Sequence, residues 1–194
     1  MSRNPPSPAI AGKDDTARLL CRFVRSIYGG PAWHGPSVRS ALRGVTAEQA
    51  LVRIAPGRNS VWDLVLHVAL TRHRVIGRIA GVTGVPVPRP ARFPRRLRGT
   101  WWPELPEGAH GSSAERRDAW RDDRALLDDC QARLLAVLDA LPAGALHRGR
   151  RGVRWSIADE IAGLAAHDAY HAGQIRLLLR LAPAARGVRQ ARSP

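Results

Sequence analysis

Lysine is almost missing from this chain: Lys13 is the only one, so 30 of the 31 cationic residues are arginine. Together with heavy use of Ala, Gly and Pro, that imbalance reads as the codon bias of a GC-rich genome. Such a bias raises Arg everywhere, so the net charge of +15 supports solubility and general attraction to anions without specifying a polyanionic ligand. Cysteine is equally sparse. Cys21 and Cys130 are far apart, match no metal or redox spacing, and each falls on an apolar helical stripe. They read as small buried hydrophobes in a reducing compartment. No apolar run reaches the length of a membrane span. The first eight residues, Met1 to Pro8, lack the apolar core of a secretory signal. Cytoplasm is the expected location, with no membrane partner. Period-2 alternation of useful length is also absent, as are solenoid repeats, a Gly-x-Ser-x-Gly elbow and a phosphate-binding glycine loop.

What is present is enough apolar residue, 44% of 194, to build a single domain. Residues 1–13 are Pro- and Ser-rich and residues 183–194 are Pro-, Arg- and Gly-rich; both read as disordered tails around a domain at 14–182. A first long helix is expected from about Asp14 to Tyr28, where Leu19, Leu20, Phe23, Val24 and Ile27 recur at helical spacing before Gly29-Gly30-Pro31. Residues 31–59 hold two short helices at most. Pro36 suits a first turn, and Thr46 with Gln49 makes a capping box.

A second long helix opens at Ser60 with Asp63 as box partner and runs to Gly81, its apolar face formed by Val61, Leu64, Val65, Val68, Val75, Ile76 and Ile79. An irregular link, 82–111, follows; a link of that length is functional or a crossover. The third helix starts with the Ser112–Glu115 box and stops at Pro142. Its outer face mixes Asp118, Asp122, Asp123, Asp128 and Asp129 with arginines and reads as solvated. The fourth starts with Ser156 and Asp159 and ends near Leu181, before Pro183. Four long amphipathic helices without strands predict an all-α four-helix bundle.

Histidines break the inward pattern. His167 and His171, four apart on the fourth helix, lie ~6 Å apart along the axis and ~40° around it, so both rings can reach one point. They interrupt the stripe between Leu164 and Ile175. His67 sits inward on the second helix between Leu64 and Val68. A lone inward His is more often a hydrogen-bonded core residue, but an i,i+4 pair with a third His has the donor set for a divalent ion: nickel, zinc or iron. Three neutral imidazoles leave a coordination position open. If the two helices are antiparallel, His67 (~10 Å from its helix start) and His171 (~15 Å from its helix end) come nearly level. His34, His73, His110 and His147 are assigned to the surface. His167-Asp168-x-x-His171 is not a metalloprotease motif, which needs Glu at Asp168. Asp168, Asp63 and Thr71 are candidates for supporting the ligands.

Asn59-Ser60-Val61-Trp62-Asp63-Leu64-Val65-Leu66-His67, Trp155-Ser156-Ile157-Ala158-Asp159 and His167-Asp168-Ala169-Tyr170-His171-Ala172-Gly173-Gln174-Ile175 together resemble the DinB/YfiT-like superfamily over about residues 14–182. The resemblance implies an up-down-down-up bundle, with the long crossover between helices 2 and 3. It also implies one divalent metal ion on His67, His167 and His171, and a homodimer. Relatives include thiol-dependent transferases and isomerases that use low-molecular-weight thiols such as mycothiol or bacillithiol, and others are hydrolase-like. The resemblance therefore implies a metal-dependent S-transferase, isomerase or hydrolase acting on a small-molecule substrate.

Two other classes compete. The link Arg89 to Trp102 joins cations with aromatics, as does the cluster Arg148, Arg150, Arg151 and Arg154. Either could contact nucleic acid, although no nucleic-acid-binding fold accompanies them, and either could instead line a pocket mouth that attracts an anion. A metal-stabilised dimerisation or binding protein without turnover is the third class.

Overall fold

The computed structural model describes residues 15–88 and 92–190, with side chains described as far as residue 182. Six helices carry the fold: α1 (Asp15–Tyr28), α2 (Val38–Ala41), α3 (Ala47–Leu51), α4 (Val61–Thr83), α5 (Ser113–Asp139) and α6 (Ile157–Gln190). Two strands of two residues each, β1 (Leu97–Arg98) and β2 (Trp102–Pro103), pair antiparallel inside the long link. The chain is all-α in class, and α1, α4, α5 and α6 form its bundle.

The helix starts lie where side chains can satisfy free backbone N–H groups. Reciprocal capping boxes join Thr46 to Gln49, Ser60 to Asp63 and Ser112 to Glu115. The same exchange links Ser156 and Asp159 ahead of α6. Pro36 is not in a first turn; Ser37 caps α2 instead. α4 runs two residues past Gly81 and ends on Gly84, whose φ of 74° is the left-handed conformation that closes a helix cheaply only with Gly.

α6 also departs from expectation, since it continues through Pro183 to Gln190 rather than ending near Leu181. Proline costs one backbone hydrogen bond and kinks a helix without necessarily stopping it. The tail expected at 183–194 is therefore helical to residue 190. Residues 191–194 and the N-terminal tail expected at 1–13 lie outside the described residues.

Side-chain bonds between helices fix their directions. Tyr28 and Arg25 of α1 meet Asp128 and Asp139 of α5, so those two helices run oppositely. Trp62 and Arg72 of α4 meet Asp123 and Gln131 of α5, so these run the same way. Arg72 and Arg78 of α4 meet Asp168 and Glu160 of α6, an opposed pair. A parallel α4–α5 pair needs a return segment as long as the bundle, which accounts for the extended link.

The core has two parts. One packs Trp62, Val65 and Leu66 of α4 with Trp120 and Leu127 of α5 and Ile175 of α6. The other joins Val24 and Ile27 to Ile76, Ile79, Leu134 and Ile161. Cys21 and Cys130 are buried free thiols, and burial pushes the Cys130 thiol up to about 11. No helix among the described residues is long and apolar enough to cross a membrane.

The acidic face of α5 is not wholly solvated as expected. Asp123 is fully buried, accepts a bond from Trp62 Nε1 at 2.9 Å and pairs with Arg95 of the link. Helical spacing shows which residues share a face but not which part of that face a long link will cover.

Candidate metal centre

All ten residues from Val61 to Leu70 are buried, because α4 is wrapped by α5, α6 and the β1–β2 link. His67 therefore faces the bundle with only 8% exposure. Its Nε2 lies 3.0 Å from His167 Nε2, which lies 3.1 Å from His171 Nε2. Ligand atoms of the three rings all fall within 4.8 Å of one another, an arrangement that could hold a metal ion. The structure thus brings together the three histidines singled out from the sequence. His34, His110 and His147 are exposed as expected. His73 is a correction: it is half-buried with its ring 5.6 Å from Phe93, because the link folds back over α4.

Proton positions follow from the partners. His67 Nδ1 lies 2.8 Å from the Trp101 carbonyl. A carbonyl can only accept, so Nδ1 carries the hydrogen and Nε2 presents a lone pair. His171 Nδ1 likewise donates to Gln174 Oε1 at 2.7 Å, and Gln174 in turn donates to the Tyr170 hydroxyl. His167 Nδ1 is buried without a hydrogen-bond partner, its nearest charge being Asp168 Oδ1 at 3.5 Å.

Two lone pairs therefore point at His167 Nε2 about 3 Å away, where a shared hydrogen on that nitrogen or a cation among the three can sit between them. An ion ~2.1 Å from each nitrogen would hold such close pairs at roughly right angles, within the range open to a divalent metal. The residues present fit a metal ion.

Electrostatics favour the same state. Burial, above all, lowers the His67 pKa, with His167 adding to the effect against the bond to Trp101. Burial followed by the neighbouring His167 and His67 lowers His171 to about 4. At neutral pH these rings are uncharged bases, the form that ligates metal.

The link forms the wall of the site. The Trp102 indole stacks on the His67 imidazole at 4.4 Å, and Arg74 lies over the Trp101 ring at 4.3 Å. Two arginines staple the link to buried acids: Arg95 to Asp123, and Arg98 to Asp63 at 2.6 Å. Asp63 is a hub, since its carboxylate also takes Ser60 and Arg53. Its role is to fix the start of α4 and the link, one turn from His67.

Asp168 forms a two-point pair with Arg72, at 2.8 and 3.2 Å, on the side away from the Nε2 atoms of the three rings. Arg72 is fully buried, with Nε bonded to Gln131 and its guanidinium 4.6 Å from the Tyr28 ring. Thr71 spends its hydroxyl on the His67 carbonyl. A groove of about 570 Å³ opens beside the site, bounded by Thr71, Val75, Trp101, Trp155, Gly163 and Leu164.

Sequence reasoning missed Gln174 and Arg72 as parts of the site, and had Trp101 and Trp102 only within a link that could contact nucleic acid or line a pocket mouth. Arg72 had a readable signal: it fills the gap between Val68 and Val75 in the apolar stripe of α4, where an unpaired charge would be costly.

The sequence profile of the DinB superfamily matches residues 33–175. The chain belongs to the DinB superfamily. No curated protein and no solved structure gives a significant match. The superfamily match spans α2 to the middle of α6 and so contains all three histidines, the link and the Arg72–Asp168 pair.

Proposed function

We propose that this DinB-superfamily protein is a divalent-metal-dependent enzyme acting on a small molecule, with His67, His167 and His171 as the metal ligands. The observation that carries it is the convergence of three Nε2 atoms while the Nδ1 protons of His67 and His171 are taken by Trp101 and Gln174. The nitrogen donor set suits zinc, nickel or iron. When bound, such an ion supplies Lewis-acid activation, lowering the pKa of a thiol or water so that it can attack an electrophile.

The protein's own groups do the rest. Trp101 and Gln174 hold the proton on Nδ1 of two ligands, which fixes each ring's tautomer and orientation. The Trp102 indole covers one face of His67 and excludes water from it. The Arg72–Asp168 pair locks α4 to α6 one residue beyond His167, setting the approach of the two ligand-bearing helices. His167 is the most accessible of the three, its side chain 26% exposed, which marks the open side. Thiol transfer, with a low-molecular-weight thiol such as mycothiol or bacillithiol as co-substrate, is the reaction the family resemblance favours; hydrolysis is the alternative.

The test is elemental analysis of the purified protein and its His67→Ala variant, followed by a screen of the metal-loaded protein against low-molecular-weight thiols and a generic electrophile. One metal per chain that is lost with His67, and thiol consumption that follows metal content, are the expected results. Metal retained without His67 would sink the assignment. A second reading, a metal-stabilised homodimer without turnover, draws on Tyr170, Leu177 and Leu181, which lie exposed along one side of α6. Metal that the fold needs, with no thiol or water chemistry, would favour it.

A further inference from the structure

The segment between α5 and α6 folds into a tight turn. Val153 N bonds to Arg150 O, Ile157 N bonds to Arg148 O, and Gly149 bridges to Ser156. Gly149 eases that approach, since a Cβ would sit 3.0 Å from the Trp155 carbonyl oxygen. The turn places Arg150, Val153 and Trp155 along the 570 Å³ groove, opposite Thr71 and Val75 of α4 and beside Trp101 of the link. A neighbouring hollow of about 420 Å³ shares Arg78 and Arg150 and adds Arg74.

Charge in the groove is unevenly spent. Arg78 is paired with Glu160 at 2.9 Å. Asp159 is tied to the backbone and hydroxyl of Ser156. Arg150 has no carboxylate partner among the described residues. Arg74 and Arg154 face aromatic rings, Trp101 at 4.3 Å and Trp155 at 4.4 Å. The groove therefore combines apolar walls, two indoles and a free guanidinium. Its inner end lies at Thr71, four residues after His67, and Gly163, four residues before His167.

From these features we propose that the groove is the substrate-binding site and that it selects a small amphipathic carboxylate. The apolar body lies along Trp101 and Trp155, the anionic end pairs with Arg150, and the opposite end reaches toward the three histidines. The volume is within the range of small-molecule sites, and a fork of guanidinium donors matches a carboxylate's two oxygens. A neutral analogue would leave that cation unmatched. This inference rests on the reading of the histidine cluster as a small-molecule centre.

Isothermal titration calorimetry with 3-phenylpropionate and its neutral amide tests it, using the full chain both zinc-loaded and chelator-treated. The expected result is at least tenfold tighter binding of the carboxylate in both states. Arg150→Ala should abolish the preference and Arg150→Lys should keep part of it. Arg39→Ala, an exposed arginine outside the groove, should leave it unchanged. Circular dichroism checks that each variant is folded. Equal binding of acid and amide, a preference indifferent to Arg150, or a preference seen only with zinc present would each overturn the proposal. If zinc is not retained but the Arg150-dependent preference is present, the metal assignment fails and the groove stands. If zinc is retained without the preference, the reverse holds.

Discussion

Two polar layers lie side by side in the interior of this bundle, with Asp168 between His167 and His171 on α6, and they solve the problem of burial in opposite ways. In the Arg72–Asp168 layer, opposite charges meet at two points and the remaining guanidinium groups find Gln131, the Val68 carbonyl and the Tyr28 ring. Every guanidinium nitrogen of that layer has a partner within the protein, while Gln131 Nε2 has none. In the histidine layer, like groups face one another, with outer nitrogens held by Trp101 and Gln174 and inner nitrogens aimed at a common point. That layer has the donor atoms to take an ion from outside.

Breaking the closed layer should have the largest effect. Asp168→Ala strands a fully buried guanidinium, which costs about 3–5 kcal/mol. For a domain of this size that lowers Tm by on the order of 10 °C, measurable by thermal denaturation. The double variant Arg72→Met with Asp168→Leu should recover most of that loss; failure to recover would show that the pair does more than balance charge.

The open layer should behave differently. His67→Ala and His171→Ala should abolish metal retention yet keep the metal-free Tm within a few degrees of wild type, because neither removes a paired charge. Adding a chelator should lower Tm for the parent protein and leave these two variants unmoved. A large chelator effect on either variant would place the ion elsewhere.

Acid sharpens the contrast. His171 is depressed to about 4 in the folded chain, against ~6.5 when unfolded. Between those values the unfolded chain binds the proton and the folded one does not, so stability falls as pH drops from about 6.5 toward 4. Urea midpoints of metal-free protein at pH 7 and pH 5 should show this decline. His171→Ala should flatten it, and an unchanged decline would assign the effect to other groups.

The smallest effect is expected at the staple between the link and α4. Arg98 is half-exposed, and Asp63 retains Arg53 and Ser60 without it. Arg98→Ala should cost no more than about 1 kcal/mol in stability but weaken metal binding several-fold by loosening the wall that carries Trp101. Competition with a chromogenic chelator reads this directly, and unchanged affinity would mean that the link is held by Arg95 and the hairpin alone.

Much of this was legible in the amino-acid order. The capping boxes at Ser60, Ser112 and Ser156 located the long helices, and an i,i+4 histidine pair with a third inward histidine located the centre. The Arg- and Trp-rich link was harder to read. As a string of residues it resembles a surface for polyanions; in the fold Arg95 and Arg98 are paired to Asp123 and Asp63, and Trp102 covers His67. Its role depends on where an irregular segment crosses helices distant in sequence, and no periodicity encodes that. The carbonyl of Trp101 was the least legible element, because every residue has one.

That carbonyl has a consequence for how the centre can vary. The group that orients His67 is a main-chain atom, so no side-chain replacement at position 101 can delete it. The indole there is free to change, and with it the shape of the groove, while the ring of His67 stays anchored. Under the proposed function, altered substrate preference and intact ion binding can thus arise at a single position, provided the path of the hairpin is preserved.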